Sequence, residues 1–289
     1  MAAGPKSSDP SRTPTERVSR TWRISTVTCS CTSNCRRPPA APEPTLMPEA
    51  IYDTLGIDYA RYRRPEPRIA AMLDAAIGAA RSAVNVGAGA GSYEPSGIDL
   101  VAVEPSAEMV RQRASSAPVV RAMAEDLPFP DRAFDAAIAI LTLHHWRDWR
   151  RGLREMRRVA RGRIVLLTWD PGHPGFWLTE QYFPGILATD RRIMPPVAAI
   201  AEVLGPLEVR PVPIPGDCTD GFLGAYWARP ERYLDSGARQ AISTFSKIPD
   251  VEAGLEQLAA DLRSGAWQER NGALLGASEL DLGYRVLIA

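Results

Sequence analysis

Residues 134–141, Phe-Asp-Ala-Ala-Ile-Ala-Ile-Leu, form a nearly continuous apolar run. That is the pattern of a strand buried on both faces of a sheet. A second such run spans Arg163 to Trp169. Shorter apolar segments at Ser82 to Val86, Gly97 to Val103 and Val119 to Met123 predict three more strands. Between them the period changes from two to about 3.6. Pro65 to Ala80 carries Ile69, Met72, Leu73 and Ile77 on one face, with prolines near its start. Ala107 to Ala114 and the amphipathic Trp149 to Val159 predict two further helices. Leu207 to Ile214 predicts a sixth strand, and its Pro211, Pro213 and the following Pro215 suit a sheet edge or a strand end. Val251 to Leu262 predicts a helix and Leu282 to Ala289 a seventh strand.

Strands separated by helices at this spacing predict an α/β fold, a doubly wound and mostly parallel sheet. The roughly 65 residues between the last two strands far exceed an ordinary connection, so they predict a helical cap. The cap is expected over about 171–206 and 216–280. Residues 1–46 have another character. Ser, Thr, Pro and Arg fill 27 of those 46 positions, and no period is visible. Such a segment buries too little apolar surface to offset its ordering entropy. The expectation is a disordered tail or a misassigned extension at 1–46, with the folded domain at 47–289 and Met47 as the true start.

Composition narrows the function classes. The 289 residues carry 34 basic and 34 acidic side chains, a formal net charge of zero. This gives no electrostatic footprint for nucleic acid. No apolar run approaches the ~20 residues that span a bilayer, and the N-terminus lacks the apolar core of a secretory signal. The expected location is cytoplasmic, with no membrane partner. Lys6 and Lys247 are the only lysines among the basic residues, a skew that codon bias explains as well as any binding surface. Cys29, Cys31 and Cys35 cluster near the N-terminus without a fourth ligand at zinc spacing, so no metal site is expected.

Candidate chemistry begins at Val84-Asn85-Val86-Gly87-Ala88-Gly89-Ala90-Gly91. A glycine-rich turn leaving a buried strand lets backbone approach a ligand closely. A helix following it would aim free N–H groups at that ligand. Alone the motif fits several kinds of nucleotide site, or a plain tight turn. Glu104 closes the next strand, 13 to 17 residues after these glycines, where a carboxylate can accept from both ribose hydroxyls. The third segment is Ala122-Met123-Ala124-Glu125-Asp126-Leu127-Pro128-Phe129-Pro130.

Together these segments resemble the class I S-adenosylmethionine-dependent methyltransferases, in particular the small-molecule branch that includes the ubiquinone and menaquinone biosynthesis enzymes. The resemblance covers about residues 50–170. It implies a seven-stranded Rossmann-like fold, S-adenosylmethionine as cofactor and a small-molecule methyl acceptor. It further implies that Gly87, Ala88, Gly89 and Ala90 pack under the methionine portion of the cofactor. Asn85 stands where the family usually has an acid contacting the cofactor's amino group. Glu104 and the adjacent Pro105 would flank the ribose, and Met109, Met123 and Ala124 the adenine. Asp126 would reach its exocyclic amine, and Ile140 and Leu141 would lie beneath the sulfonium. Tyr59 and Tyr62 resemble an N-terminal aromatic segment that folds over the cofactor, although simple helix packing accounts for them equally.

Methyl transfer needs alignment, exclusion of water and, for some acceptors, a base. His144 and His145 are the candidate bases, since they follow the fourth strand and imidazole titrates near neutrality. A structural role for them is an equal expectation. Residues 217–222 with Tyr226 and Trp227, together with Trp169, Asp170, His173, Phe176 and Trp177, are expected to shape the acceptor pocket or to hold the cap in place. A nicotinamide-dependent oxidoreductase is disfavoured because Gly87, Gly89 and Gly91 miss the Gly-x-Gly-x-x-Gly spacing. A cofactor-binding protein without catalysis remains the main alternative. Acceptor identity and oligomeric state have no signature in the chain.

Overall fold

The computed structural model describes residues 59–289; the expectations for 1–46, for the start at Met47 and for the three N-terminal cysteines lie outside them. Seven strands form one sheet: β1 (Ser82–Val86), β2 (Asp99–Val103), β3 (Val119–Val120), β4 (Phe134–Ile140), β5 (Ala160–Trp169), β6 (Glu208–Pro215) and β7 (Glu279–Ile288). Their spatial order is β3-β2-β1-β4-β5-β7-β6. β1 to β5 pair in parallel, and β7 runs antiparallel between β5 and β6. The chain progresses outward in opposite directions from β1 and from β4. A crevice therefore opens between their C-terminal ends.

Nine helices accompany the sheet: α1 (Tyr59–Tyr62), α2 (Pro67–Ile77), α3 (Ala107–Arg111), α4 (Trp149–Val159), α5 (Pro184–Ile193), α6 (Val197–Leu204), α7 (Ser236–Gln240), α8 (Val251–Ser264) and α9 (Ala266–Asn271) among the described residues. The alternation of strand side chains builds two cores. Ala136 and Ile138 of β4 and Val165 and Leu167 of β5 face Ile69 and Leu73 of α2. Ala137, Ala139, Ile164 and Leu166 face the opposite way, onto Leu153 and Met156 of α4 and Ile200 of α6. Each strand is apolar on both faces, which explains the continuous runs.

The helix starts are chemically specified. Glu66 caps α2 by accepting from the Arg68 N–H, with Pro67 in the first turn. Asp148 caps α4 by accepting from the Arg151 N–H at 3.0 Å. The segments leaving β5 and β6 depart from the same edge of the sheet and share a third core. In it Trp177 meets Trp267, Tyr182 and Tyr233 edge to face, with Leu258 of α8 alongside. These segments are the helical cap.

Three expectations need correction. The strand expected over Val119 to Met123 stops at Val120, because the following residues turn inward toward the crevice. The seventh strand begins three residues earlier than its apolar pattern, at Glu279, because β6 supplies a partner that polar edge residues can pair with. Third, no helix joins β1 to β2; residues 87–98 form only turns. Gly87, Gly89, Gly91, Tyr93 and Gly97 all take positive φ, which a right-handed helix cannot use. The short crossover is instead pinned by side chains. Glu104 accepts from the Gly89 N–H at 2.8 Å, and Arg113 donates to the Gly89 carbonyl at 3.2 Å.

Candidate functional site

A cavity of about 250 Å³ lies in the crevice between β1 and β4. Its walls are turns that follow strand ends. Gly87, Ala88, Gly89, Ala90, Ser92 and Tyr93 come from the turn after β1, and Glu104, Pro105 and Met109 from the end of β2 and α3. Met123, Ala124 and Glu125 follow β3, while Ile140 ends β4 and Leu141, Thr142, His145, Trp146 and Arg147 follow it. Tyr59 and Arg63 close it from the N-terminal side.

Each wall is set by local chemistry. Gly87 has φ +70°, its N–H donates to the Val103 carbonyl at 2.9 Å, and a Cβ there would collide with the Thr142 hydroxyl. Only glycine meets both demands. Leu141 also takes a positive φ, +51°, while its N–H still donates to Leu167 at 2.8 Å. This strained residue ends β4 and redirects the chain across the cavity floor. Glu104, 6% exposed, accepts from Gly89 N–H through Oε2 and from Ser106 N–H at 2.9 Å through Oε1. The carboxylate is thus aimed by two backbone donors. The segment carrying Met123 to Glu125 is held by α4. Arg158 donates to the carbonyls of Leu127 and Phe129, and Glu155 accepts from the Leu127 N–H at 2.9 Å.

Two acceptors in the wall are buried without a donor among the described residues, Asn85 Oδ1 and Glu125 Oε2. A buried acceptor left unbonded costs ~1–3 kcal/mol, so each is an unmet hydrogen-bonding demand on a residue of the cavity wall. Asn85 Nδ2 and Glu125 Oε1 are already engaged, by Glu94 at 3.2 Å and by the Asp148 N–H at 3.0 Å.

Comparison with known proteins agrees with this geometry. Residues 82–166 match the family model of a methyltransferase domain. A crystal structure from Anabaena variabilis, of a protein assigned as a methyltransferase of an antibiotic-biosynthesis pathway, is 33% identical with a TM-score of 0.73. The alignment covers 78% of this chain and 98% of that one. The chain belongs to the class I S-adenosylmethionine-dependent methyltransferases. Two curated relatives match more locally. The rice 2-methyl-6-phytyl-1,4-hydroquinone methyltransferase 2 is 32% identical over 34% of this methyltransferase and 31% of its own length. The uncharacterised Escherichia coli protein YafE is 43% identical over 19% of this chain and 29% of its own. The methyltransferase therefore spans under a third of each of these two relatives.

Of the seventeen residues singled out from sequence, fourteen stand in the cavity wall: Tyr59, Asn85, Gly87, Ala88, Gly89, Ala90, Glu104, Pro105, Met109, Met123, Ala124, Ile140, Leu141 and His145. Tyr62, His144 and Asp126 do not. Tyr62 turns toward the cap, where its hydroxyl donates to Asp235 at 3.4 Å and its ring fills the space left by Gly237. Asp126 is exposed, and its neighbour Glu125 faces inward instead. None of the residues expected at an acceptor pocket stands in the cavity wall, and Trp177 and Trp227 are core. Trp227 Nε1 donates to Ile214 at 2.8 Å and Trp177 Nε1 to the Trp227 carbonyl at 2.9 Å, fastening the cap to β6.

Arg63 is the main wall residue without a sequence signal, and its partner is Asp220, from the 217–222 cluster expected at the acceptor pocket or the cap. Arg63 Nε donates to Asp220 Oδ1 at 2.8 Å and Nη1 to the Tyr59 hydroxyl at 2.7 Å. The Tyr93 hydroxyl donates to Asp220 Oδ2 at 2.8 Å and accepts from the Glu66 N–H. The run of basic residues around Arg63 hid which one turns inward. No group of three or more metal-ligating side chains occurs among the described residues, and no helix there is long and apolar enough to cross a membrane.

The two imidazoles are in contact, with ring centroids 3.8 Å apart and planes tilted by 46°. Burial, then the positive Lys247 and Arg63, pushes His145 from 6.5 down to about 3. Burial and His145 push His144 the same way. Both are neutral near pH 7, and the unfolded chain binds their protons more readily below pH 6.5. Stability from these groups therefore falls on acidification. Glu66 acts in the same direction. Its hydrogen bond from Arg68 is the main cause that holds it at about 2, so its contribution is present above 4.5 and lost as pH falls toward 2. Asp190 opposes them: burial raises it to about 6, so the native state takes up its proton first. Melting temperature is accordingly expected to fall between pH 7 and pH 4.5 in scanning calorimetry. A flat or rising profile would contradict the lowered basicity of the histidine pair.

Proposed function

We propose that this methyltransferase binds S-adenosylmethionine in the crevice cavity and transfers its methyl group to a small-molecule acceptor brought in beneath the cap. The observation that supports this best is the pair of buried, donor-free acceptors, Asn85 Oδ1 and Glu125 Oε2, in one wall with the aimed Glu104 carboxylate. In this reading Glu104 accepts from the ribose hydroxyls. Glu125, rather than Asp126, accepts from the exocyclic amine, with Met109, Met123 and Ala124 against the ring. Asn85 accepts from the amino group, the turn 87–90 packs under the methionine chain, and Arg63 faces its carboxylate. Bound S-adenosylmethionine supplies an electrophilic methyl on a sulfonium.

The chain's own residues then mainly align and exclude water. Ile140 and Leu141 give the reacting centre an apolar floor. His145 is suited to accept a hydrogen bond from the acceptor and so orient it. At about 3 it is too weakly basic to carry a proton away efficiently near neutrality. The cap departs from the ends of β5 and β6, on the sheet edge that carries the cavity, an arrangement that suits a compact acceptor better than a polymer.

The test is calorimetric titration of the full chain with S-adenosylmethionine, against NADH and NADPH, followed by transfer of labelled methyl into small-molecule pools. Micromolar binding of the sulfonium alone, then label in a low-mass product, is the expected result. Binding without turnover on any pool would favour a non-catalytic role. No binding by folded protein would overturn the reading.

A further inference from the structure

Glu94, in the turn between β1 and β2, forms a buried ion pair with Arg113, which follows α3. The side chains of Glu94 and Arg113 are 5% and 3% exposed. Arg113 Nη2 donates to both carboxylate oxygens, at 2.7 and 2.9 Å. Burying two charges is expensive and by itself weak evidence for stability. This pair touches the cavity at two points. Glu94 Oε1 accepts from Asn85 Nδ2 at 3.2 Å, and Arg113 Nη1 donates to the Gly89 carbonyl at 3.2 Å. Gly91 packs directly on the pair, where a Cβ would lie 3.3 Å from Arg113 and 3.4 Å from Glu94.

A carboxylate clamped by a guanidinium offers acceptors only. The amide of Asn85 must therefore turn its nitrogen to Glu94, and this leaves Oδ1, on a residue of the cavity wall, without a donor among the described residues. We propose that Glu94 and Arg113 are positioning residues for the amino-acid end of the ligand: Glu94 locks the Asn85 amide with its oxygen toward a ligand ammonium, and Arg113 ties the Gly89 carbonyl to the same anchor. The inference rests on the S-adenosylmethionine reading. It also accounts for an amide at position 85. An aspartate there would set a second carboxylate about 3 Å from Glu94, a like-charge contact that is unfavourable when buried. The negative charge stands instead nine residues downstream, at Glu94, neutralised by Arg113.

The experiment titrates the full chain with two probes, S-adenosylmethionine and 5′-methylthioadenosine, which keeps the nucleoside but lacks the amino acid. E94Q retains shape and a bond to Arg113 but lets the Asn85 amide flip. It is expected to weaken S-adenosylmethionine about tenfold and leave methylthioadenosine within about twofold. N85D is expected to weaken S-adenosylmethionine as well, and N85D/E94Q, which moves the charge back to the strand, to recover it. Unchanged S-adenosylmethionine affinity in E94Q overturns the proposal while leaving the cofactor reading intact. Equal losses for both probes also overturn it, since they mark a general structural role. A wild-type chain that binds neither probe overturns the cofactor reading and this inference with it.

Discussion

Replacing Glu104 with alanine is expected to lower S-adenosylmethionine affinity by about a hundredfold or more. The carboxylate stands at the end of β2, 6% exposed, and two backbone N–H groups hold its direction. A hydrogen bond to a charged acceptor contributes about 1.5–3 kcal/mol. Two such bonds to ribose hydroxyls, at the low end, amount to about 3 kcal/mol, or roughly a hundredfold in Kd. The substitution also strips the Gly89 N–H of its acceptor and loosens the turn beneath the ligand. E104Q is expected to be little better, because its amide N–H₂ must face either a ribose hydroxyl or a backbone donor. E104D keeps the charge but is one methylene short, and a loss nearer tenfold is expected. Calorimetric titration of the three variants checks this series. An E104A protein binding within threefold of wild type would remove Glu104 from the site.

The second large effect is expected at Asp220, on stability. Asp220 is fully buried and joins three segments distant in sequence. Its Oδ1 accepts from Arg63 and from the Gly221 N–H at 2.7 Å, and its Oδ2 from the Tyr93 hydroxyl. The segment around α1, the turn after β1 and the cap's first residues thus meet on one carboxylate. D220A leaves the Arg63 guanidinium, 10% exposed, without its counter-charge. Removing one partner of a buried pair costs about 3–5 kcal/mol, which for a domain of this size lowers Tm by about 10 °C. D220N preserves the shape but not the charge and is expected to melt between D220A and wild type. Cofactor affinity should fall with both, since Arg63 and Tyr93 line the cavity. A D220A protein melting within about 2 °C of wild type would show that the three segments are held by other contacts.

The histidine pair illustrates how context changes chemistry that a sequence displays openly. His144 and His145 follow β4, as the chain order implies. Their use as bases depended on an ordinary imidazole basicity, which burial and two nearby cations remove. Asp126 and Glu125 show the same dependence for direction. Adjacent acids in a turn point opposite ways, and no periodicity reveals which one faces the cavity.

Much of this methyltransferase was determined by sequence alone. The runs at 134–141 and 163–169 read as strands covered on both faces, because side chains alternate between two buried sides of the sheet. The helices at Pro67–Ile77 and Trp149–Val159 follow from local period and caps, and the proline-rich sixth strand occupies the sheet edge, as missing N–H donors require. The glycines at 87 and 89 and Glu104 were legible as cavity-wall residues because a tight turn after a strand and a carboxylate closing the next strand are local features of the chain. Tertiary structure decided the rest. It replaced the helix after the glycine turn with a pinned crossover and placed β7 between β5 and β6. It also joined Arg63 to Asp220, 157 residues apart, and Glu94 to Arg113, 19 apart. The physical reason is the same in each case. Strand and helix patterns are local, whereas turn direction and charge pairing depend on which distant groups fill the space opposite.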